Sequence, residues 1–313
     1  PSRRTSLTQV TATKPSLPTV ARQRIGVTRV DRAAPISATS LFLVGFPGCS
    51  KSSLLQSAVG GFIINTDLSV AVHPDFAAGN GAEMWPYVDH SGTAIDGSGR
   101  VVQLTWEGIQ ETVKALTRIP RTDPTRPTFI AVDTLDSLIP IVKDYLAKKY
   151  KKDSFVDLGQ SGWQYLSDEI AGLYEDIRAG GFGAVFTGHL TTEKFTLDGA
   201  NNSQSLRWAF RGITPGINQK LIPRIDNVML LEAVKKVVMV PVPGKVAIKT
   251  EETEYFLDTT SPHRLLADTL KCKAAPYFPT RLSLPARGTW AKIESEFAAA
   301  MAKKFEPALP AVV

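Results

Sequence analysis

Cysteines and long hydrophobic runs are scarce in this sequence. Two cysteines, Cys49 and Cys272, occur in 313 residues, which is too few for a disulfide framework and favours a reducing compartment. No apolar run approaches the roughly 18 residues that a membrane-spanning helix needs. We therefore expect a cytoplasmic protein with no membrane span and no secretory signal.

Negative charge is scarce at the amino-terminal end. Residues 1–40 contain seven basic residues and one acidic residue, whereas the remainder contains 29 of each. The net charge of +6 therefore belongs to this segment, and bulk charge alone does not indicate that the folded body binds nucleic acid. Residues 1–38 are rich in Ser, Thr, Pro and Arg, which predicts a flexible basic arm that either touches nucleic acid or a neighbouring subunit, or is inert. An organellar transit peptide is the less favoured alternative, because prolines would interrupt an amphipathic helix.

Beyond residue 39, short apolar segments alternate with longer helical ones. The predicted strands are 41–45, 61–67, 101–105, 127–134 and 183–189, and the predicted helices are 51–59, 106–119, 135–150 and 161–180. This alternation predicts an α/β fold with a mostly parallel sheet flanked by helices. Between 227 and 260 we expect several shorter antiparallel strands that extend the sheet. The predicted domains are the arm at 1–38, a core at 39–285, and a C-terminal helix (290–305) and tail at 286–313.

Residues 41–56, LFLVGFPGCSKSSLLQ, predict a phosphate-binding loop. A strand enters a glycine-containing turn and then a helix, with the spacing G-x-x-x-x-G-K-[ST] except that Ser50 replaces the last glycine. In such a loop the backbone N–H groups cradle phosphate, Lys51 reaches the terminal phosphates and the Ser52 hydroxyl binds Mg²⁺. The predicted nucleotide-binding residues are Gly45, Phe46, Pro47, Gly48, Cys49, Ser50, Lys51, Ser52 and Ser53.

Three polar residues at the ends of later strands complete the predicted site. Asp133 is placed to hold Mg²⁺ through water, with a helix N-cap as the alternative. Asp67 is placed to polarise the attacking water as a general base, or else it forms a turn. His189 is placed to sense the γ-phosphate, or else it is structural. The predicted catalytic residues are thus Lys51, Asp67 and His189, and the predicted metal residues are Ser52 and Asp133.

The segment at 190–216 is long, polar and rich in basic and aromatic residues. Arginine and lysine pair with phosphates while bases stack on aromatic rings, so this composition suits single-stranded nucleic acid. The candidate DNA-binding residues are Lys194, Arg207, Trp208, Phe210 and Arg211. The alternative is a hairpin whose aromatic side chains cover the core.

Two further groups of basic residues have both a functional and a structural interpretation. Lys148, Lys149, Lys151 and Lys152 form a second basic cluster, which is more typical of a solvated helix face. Lys271, Lys273 and Arg281 are candidates to reach a nucleotide held by a neighbouring subunit, as finger residues do. Simple surface placement is the alternative for these three.

Together these segments resemble the RecA-like P-loop ATPases, and within them the compact phage ATP-binding proteins linked to recombination and single-strand annealing. The resemblance covers about residues 40 to 285 and rests on GFPGCSKSS, FIINTD, FIAVDTLDSL, QLTWEGIQETVKAL and GWQYLSDEIAGLYEDIRAGGFGAVFTGH. It implies ATP and Mg²⁺ as cofactors, with Lys51 and Ser52 at the nucleotide and Asp133 at the metal. It also places 190–216 where a recombinase has a DNA-binding loop. Recombinases usually carry a glutamate after an Asp-Thr pair, where this chain has Asn65, Thr66 and Asp67.

Three functions follow as hypotheses. The first is an ATPase that binds single-stranded DNA and assembles as a homo-oligomeric ring or filament, with ATP between subunits, in the host cytoplasm if a phage encodes it. The second is an ATP-binding structural or adaptor protein with little turnover, which Ser50 and the short Asp67 motivate. A small-molecule nucleotide kinase is less favoured, because 227–260 lacks the arginines of a lid. The absence of an Asn-Lys-x-Asp motif argues against a guanine-specific switch protein.

Overall fold

A mixed sheet of nine strands forms the centre of the part of the chain that the structure, a computed structural model, describes. The structure describes residues 35–68, 81–89, 91, 93–196, 204–240, 248–260, 269–285 and 289–305, all within the unit Ala33–Val313. Residues 1–34 of the predicted arm therefore lie outside the described part of the chain. Residues Ile36–Ala38 form a 3₁₀ turn in which Ile36 and Ser37 are buried.

The strands are β1 (Ser40–Gly45), β2 (Gly61–Asn65), β3 (Glu83–Trp85), β4 (Tyr87–Val88), β5 (Ala94–Ile95), β6 (Phe129–Asp133), β7 (Gly183–Thr196), β8 (Gln204–Phe210), β9 (Asn227–Val240), β10 (Ile248–Asp258) and β11 (Arg281–Leu284). The helices are α1 (Lys51–Gln56), α2 (Trp106–Arg118), α3 (Leu135–Lys149), α4 (Gly159–Ala179), α5 (Pro215–Leu221) and α6 (Trp290–Phe305).

The sheet order is β11-β10-β9-β1-β7-β6-β2-β3, with β8 paired to β7, while β4 and β5 form a separate pair. The strands from β9 to β3 in this order run parallel, whereas β10, β11 and β8 are antiparallel to their neighbours. The predicted fold class is confirmed: a mostly parallel sheet is flanked by helices and extended by C-terminal antiparallel strands.

Each face of the sheet is covered by its own hydrophobic core. Phe42 and Val44 of β1 pack with helices α2 to α5 on one face, whereas Leu41 and Leu43 pack with α1 and α6 on the other. Strands buried on both faces need continuous apolar sequence, which explains the pattern LFLVG. On the second face the ring of Trp290 in α6 stacks on that of Phe129, with the centroids 5.1 Å apart.

Threonines begin three of the helices. Thr105, Thr134 and Thr214 are the N-caps of α2, α3 and α5, and the side chain of each accepts a hydrogen bond from a backbone N–H of the first turn. Thr134 directly follows β6, so α3 begins at the carboxyl end of that strand. The helix therefore leaves the sheet edge immediately after Asp133.

Three local predictions were wrong. The predicted strand at 101–105 is absent: Val101 makes one isolated bridge with Ile95, and Thr105 serves as a helix cap. In the described part of 227–260, which excludes 241–247, there are two long strands rather than several short ones. Charged side chains stabilise the pairing of β9 with β10, because Lys235 forms an ion pair with Glu251 and Lys236 forms one with Glu254.

The third wrong prediction is the loop at 190–216. Strand β7 continues past His189 to Thr196 and pairs with β8, in register from Leu190↔Phe210 to Thr196↔Gln204. The hairpin alternative is therefore the one that the structure shows, although residues 197–203 lie outside the described part. Many residues of β7 beyond His189 and of β8 are polar, so the hydrophobic pattern of the sequence did not predict these strands.

Candidate nucleotide-binding site

The carboxyl ends of four parallel strands meet at one edge of the sheet. The register places Gly45 of β1 beside His189 of β7, and Asn65 of β2 beside Asp133 of β6. A cavity of about 900 Å³ opens at this edge and is lined by most of the loop at 47–53 and by Asp67, Asp136, His189 and Arg211. In open α/β sheets this edge is the usual position of a ligand.

The loop between β1 and α1 has the close approaches and backbone angles of a phosphate-binding loop. A Cβ at Gly45 would lie 2.4 Å from the carbonyl oxygen of Leu231, so only glycine fits there. Gly48 has φ of +81°. Ser50 is also left-handed, with φ of 65° and ψ of 28°. The last glycine of the motif, which Ser50 replaces, is therefore at a position that demands positive φ, where a non-glycine residue is strained.

Lys51 lies almost entirely inside this loop, with 4% of its surface exposed. Its Nζ donates to the carbonyl oxygens of Gly45 at 3.0 Å and Phe46 at 3.2 Å, and lies 3.6 Å from Cys49 Sγ. Burial raises the pKa of the Cys49 thiol in spite of the nearby ammonium group. Cys49 is therefore a packed neutral thiol rather than a reactive one.

Asp133 is fully buried at the end of β6. Its Oδ1 accepts a hydrogen bond from Thr187 Oγ1 at 2.5 Å, whereas its Oδ2 has no hydrogen-bond partner among the described residues. Burial raises the pKa of this carboxyl, while the nearby Ser52 hydroxyl, the hydrogen bond from Thr187 and the charge of Lys51 act in the opposite direction. The N-cap alternative is wrong, because Thr134 caps α3.

The residues around Asp133 fit a magnesium ion. A buried carboxylate oxygen without a partner is costly unless a ligand satisfies it, and the Ser52 hydroxyl faces the same carboxyl. No group of three or more His, Cys, Asp and Glu side chains in the described ranges forms a metal cage. Mg²⁺ uses one or two protein ligands and takes the rest from water and nucleotide phosphates, so Ser52 and Asp133 are a sufficient set of protein ligands.

Asp67 and His189 both reach the cavity. The Asp67 N–H donates to the carbonyl oxygen of Asp133 at 3.1 Å, which fixes the end of β2 beside β6. His189 contacts Asp136 twice: ring Nδ1 lies 2.9 Å from Oδ2, and the backbone N–H donates to Oδ1 at 3.3 Å. The structure thus brings all the predicted catalytic and metal residues to one edge.

Asp136 is a site residue that sequence reasoning missed. Burial raises the pKa of Asp136, but the hydrogen bonding and charge of His189 outweigh it and hold the pKa below its ordinary value. An ionised Asp136 fixes the orientation of the imidazole ring. The available signal was its place in the first turn of α3, three residues after Asp133.

The candidate DNA-binding residues are divided by the structure. The ring of Phe210 lies 5.4 Å from that of Phe42, and the ring of Trp208 lies 5.1 Å from that of Phe46. Both aromatic side chains thus pack on the body of the protein. Lys194 and Arg207 have their backbone in the hairpin, but their side chains are outside the described part. Arg211 lines the nucleotide cavity.

The three candidate finger residues have partners within their own chain. Lys271 Nζ donates to the carbonyl oxygen of Ile222 at 2.9 Å, and Lys273 lies 3.4 Å from Asp226. Arg281 pairs with Glu232 at 3.1 Å and with Asp258 at 3.4 Å. These contacts favour the surface alternative, and the finger role stays a prediction.

A sequence model of one protein family, described as an AAA domain, matches residues 37–269. The chain belongs to the AAA domain family. Membership confirms the predicted P-loop ATPase class. No curated protein matches the chain.

One solved structure similar to this AAA domain is the crystal structure of a KaiC-like protein from the hyperthermophilic archaeon Pyrococcus horikoshii OT3. The two share 10% identity with a TM-score of 0.33, over 70% of this chain and 85% of that chain.

Within the described ranges, no helix of the AAA domain is both long and apolar enough to cross a membrane.

Proposed function

We propose that this AAA domain binds Mg²⁺–ATP at the carboxyl edge of its sheet, hydrolyses it, and couples the nucleotide state to binding of single-stranded DNA by a homo-oligomer. The observation that carries the nucleotide part is the buried Asp133, whose unpaired Oδ2 lies where Ser52 and Lys51 of the loop also converge. Recombination or strand annealing is the process in which we place this activity.

The loop and its helix hold the phosphates. Residues of the loop line the cavity, and Lys51 exchanges its bonds to the carbonyl oxygens of Gly45 and Phe46 for bonds to the terminal phosphates. Ser52 and Asp133 hold the magnesium ion, which neutralises charge on the phosphate oxygens when it is bound. The low exposure of Lys51 and Asp133 strengthens both interactions, because little water screens them.

Hydrolysis requires a water molecule to attack the γ-phosphorus while the bond to the β–γ bridging oxygen breaks. Asp67 lines the cavity and is the carboxylate that we assign to accept the proton of this water. Asp136 holds His189 through ring Nδ1, which leaves Nε2 to contact the γ-phosphate. The products are ADP and inorganic phosphate.

The DNA part is supported by an exposed aromatic and basic surface on α3, α4 and their connection. Five aromatic side chains are exposed in the described part, and three of them, Tyr150, Trp163 and Tyr165, lie here. The rings of Tyr150 and Tyr165 stack with the centroids 4.8 Å apart, and Lys143 Nζ lies 4.5 Å from the centroid of Trp163.

The basic cluster at 148–152 is adjacent to these rings. Lys148, Lys151 and Lys152 are exposed, and residues 143–153 contain five lysines and two aspartates, a net charge of +3. Rings that stack bases and cations that pair with phosphates are the two requirements of a single-strand surface. This surface supports DNA binding better than the hairpin aromatics do, since those already pack on Phe42 and Phe46.

An ATP-binding adaptor with slow turnover is the second candidate. The observation that favours it is the left-handed Ser50, which strains the loop at the residue before Lys51. Nucleotide binding without phosphate release, with and without DNA, would select this candidate over an ATPase.

The experiment measures phosphate release with Mg²⁺ or with EDTA, in the presence and absence of single-stranded DNA. We expect Mg²⁺-dependent turnover that DNA increases and that Lys51→Ala abolishes, while Lys114→Ala on the exposed face of α2 leaves it unchanged. Sedimentation with a non-hydrolysable ATP analogue and DNA tests for assembly, and a monomer under all conditions would contradict the oligomer.

The location of the DNA surface is tested with two double variants. We expect Tyr150→Ala with Tyr165→Ala to weaken binding of a fluorescent oligonucleotide while ATP affinity is retained. Arg207→Ala with Trp208→Ala tests the hairpin instead. Loss of DNA binding only in the hairpin variant would contradict the surface on α3 and α4.

A further inference from the structure

Arg211 is a cation of the nucleotide cavity and lies immediately after β8. Arg211 is exposed, and it lines the same cavity as Lys51, Ser52, Asp67 and His189. From the sequence, Arg211 is a candidate DNA-binding residue, because it follows Trp208 and Phe210 in a basic and aromatic segment. The structure separates it from that group and places it at the phosphate-binding edge.

The other basic side chains of the cavity wall already have partners. Lys51 donates to two carbonyl oxygens of its own loop, and the His189 ring bonds Asp136. Over the residues that the structure describes, the Arg211 guanidinium forms no hydrogen bond or ion pair. A free guanidinium beside a phosphate-binding loop is suited to bind phosphate oxygens, since its planar donors match them two at a time.

The backbone of Arg211 is held in place. Its N–H donates to the carbonyl oxygen of His189 at 2.8 Å, and the ring of the preceding Phe210 packs on Phe42. Gly212 follows with φ of +70°, and a Cβ built there would lie 3.6 Å from the Cβ of Asp136. This conformation favours glycine, and it keeps the turn against the first turn of α3.

We infer that Arg211 binds the γ-phosphate of ATP in cis, and so makes the site distinguish ATP from ADP; this rests on the proposed nucleotide function. His189 immediately precedes the paired residues of the β7–β8 hairpin and Arg211 immediately follows them. Both residues line the cavity. A phosphate bound by Arg211 therefore contacts the base of the hairpin. In the reaction, the guanidinium stabilises charge on the equatorial oxygens as the γ-phosphoryl group transfers.

The test measures binding of a non-hydrolysable ATP analogue and of ADP, both with Mg²⁺, by calorimetry. Binding of both nucleotides to the wild type tests the proposed function, whereas the ratio of the two affinities in variants tests Arg211. For Arg211→Gln we expect the analogue to bind about 10- to 100-fold more weakly, as for the loss of charge-assisted hydrogen bonds. ADP affinity should remain close to that of the wild type.

Two matched variants complete this test. Arg211→Lys keeps the charge but not the paired donors, so it should restore part of the lost affinity. Arg118→Gln removes an exposed arginine at the end of α2 and should change neither affinity. Equal losses for the ATP analogue and ADP in Arg211→Gln, or no loss for either, would overturn the assignment.

A mixing experiment separates a role in cis from one in trans. Lys51→Ala and Arg211→Gln proteins are mixed, and phosphate release is compared with that of each alone. If Arg211 serves the site of its own chain, every site in the mixture lacks one of the two cations and turnover stays low. Recovery of turnover on mixing would show that Arg211 acts on the nucleotide of a neighbouring subunit.

Discussion

Thr187 on β7 donates a hydrogen bond to the buried carboxylate of Asp133 on the adjacent strand β6. This bond satisfies one carboxylate oxygen and leaves the other without a partner among the described residues. The carboxylate is thus oriented by the fold before any ligand arrives. A group fixed in this way needs no reorganisation when it binds a metal ion, which is the advantage of a preorganised site.

The first prediction concerns this hydrogen bond. Thr187→Val keeps the shape but removes the donor, so the Oδ1 of the buried carboxylate also loses its hydrogen-bond partner, and we expect the free energy of unfolding to fall by about 1–3 kcal/mol. Thr187→Ser retains the hydroxyl and is the control. Chemical denaturation of the nucleotide-free protein measures the change.

A second variant guards against a general packing effect. With Asp133→Asn in place, the buried group is neutral, so Thr187→Val should cost less than it does in the wild-type background. An equal loss in both backgrounds would show that the hydroxyl does not act through Asp133.

Ser50 is the subject of the second prediction. Because Ser50 is left-handed, Ser50→Gly should relieve strain, and we expect the protein to become more stable by up to about 1 kcal/mol. ATP affinity should be equal or tighter, since the loop keeps its shape. Gly48→Ala is the converse variant and should destabilise the loop, because Gly48 also has positive φ. Weaker ATP binding by Ser50→Gly would show that the Ser50 side chain itself holds the nucleotide.

Local sequence patterns predicted the parts of the site that lie close together along the chain. The strand, loop and helix around Lys51 form one contiguous unit, and the apolar runs before Asp67, Asp133 and His189 predicted the ends of the parallel strand segments, although β7 continues past His189 to Thr196. The parallel arrangement then brings these ends to one edge, which follows from strand and helix alternation alone.

Features that depend on contacts between distant segments could not be predicted in this way. Asp136 and His189 are 53 residues apart, and neither belongs to a motif that names the other. The β7–β8 hairpin is polar along much of its length, so its pairing is visible only in the folded chain. The roles of Arg211 and Arg281 likewise depend on which cavity or carboxylate the fold places beside them.

The third prediction concerns the Asp136–His189 pair. Asp136→Ala should leave the ring of His189 unsupported, and we expect turnover to fall about 10- to 100-fold, as when a residue that orients a functional group is removed. ADP affinity should not change. His189→Ala should lose at least as much turnover, and the double variant should lose no more than His189→Ala alone, because the two residues act as a unit. A double variant whose loss equals the product of the single losses would contradict this.

The fourth prediction is a pH dependence of stability set by Asp258 at the end of β10. Burial raises the pKa of Asp258 to about 6, with Glu232 acting in the same direction and Arg281 against it. The folded protein therefore holds this proton more tightly than the unfolded chain does between pH of about 4 and 6. The stabilisation that this proton gives is fully present below pH of about 4 and is lost as the pH rises to about 6. The free energy of unfolding falls over this range by at most about 3 kcal/mol.

Asp258→Asn removes the ionisation while keeping the size of the side chain. The difference in unfolding free energy between the wild type and Asp258→Asn, measured by denaturation from pH 4 to 7, should shift steadily in favour of the variant as pH rises. Taking this difference cancels the titration of other groups that the substitution leaves undisturbed. Asp153→Asn, on the exposed connection between α3 and α4, is the control and should show no such trend. A flat difference for Asp258→Asn across this range would mean that Arg281 fully compensates the burial of the carboxylate.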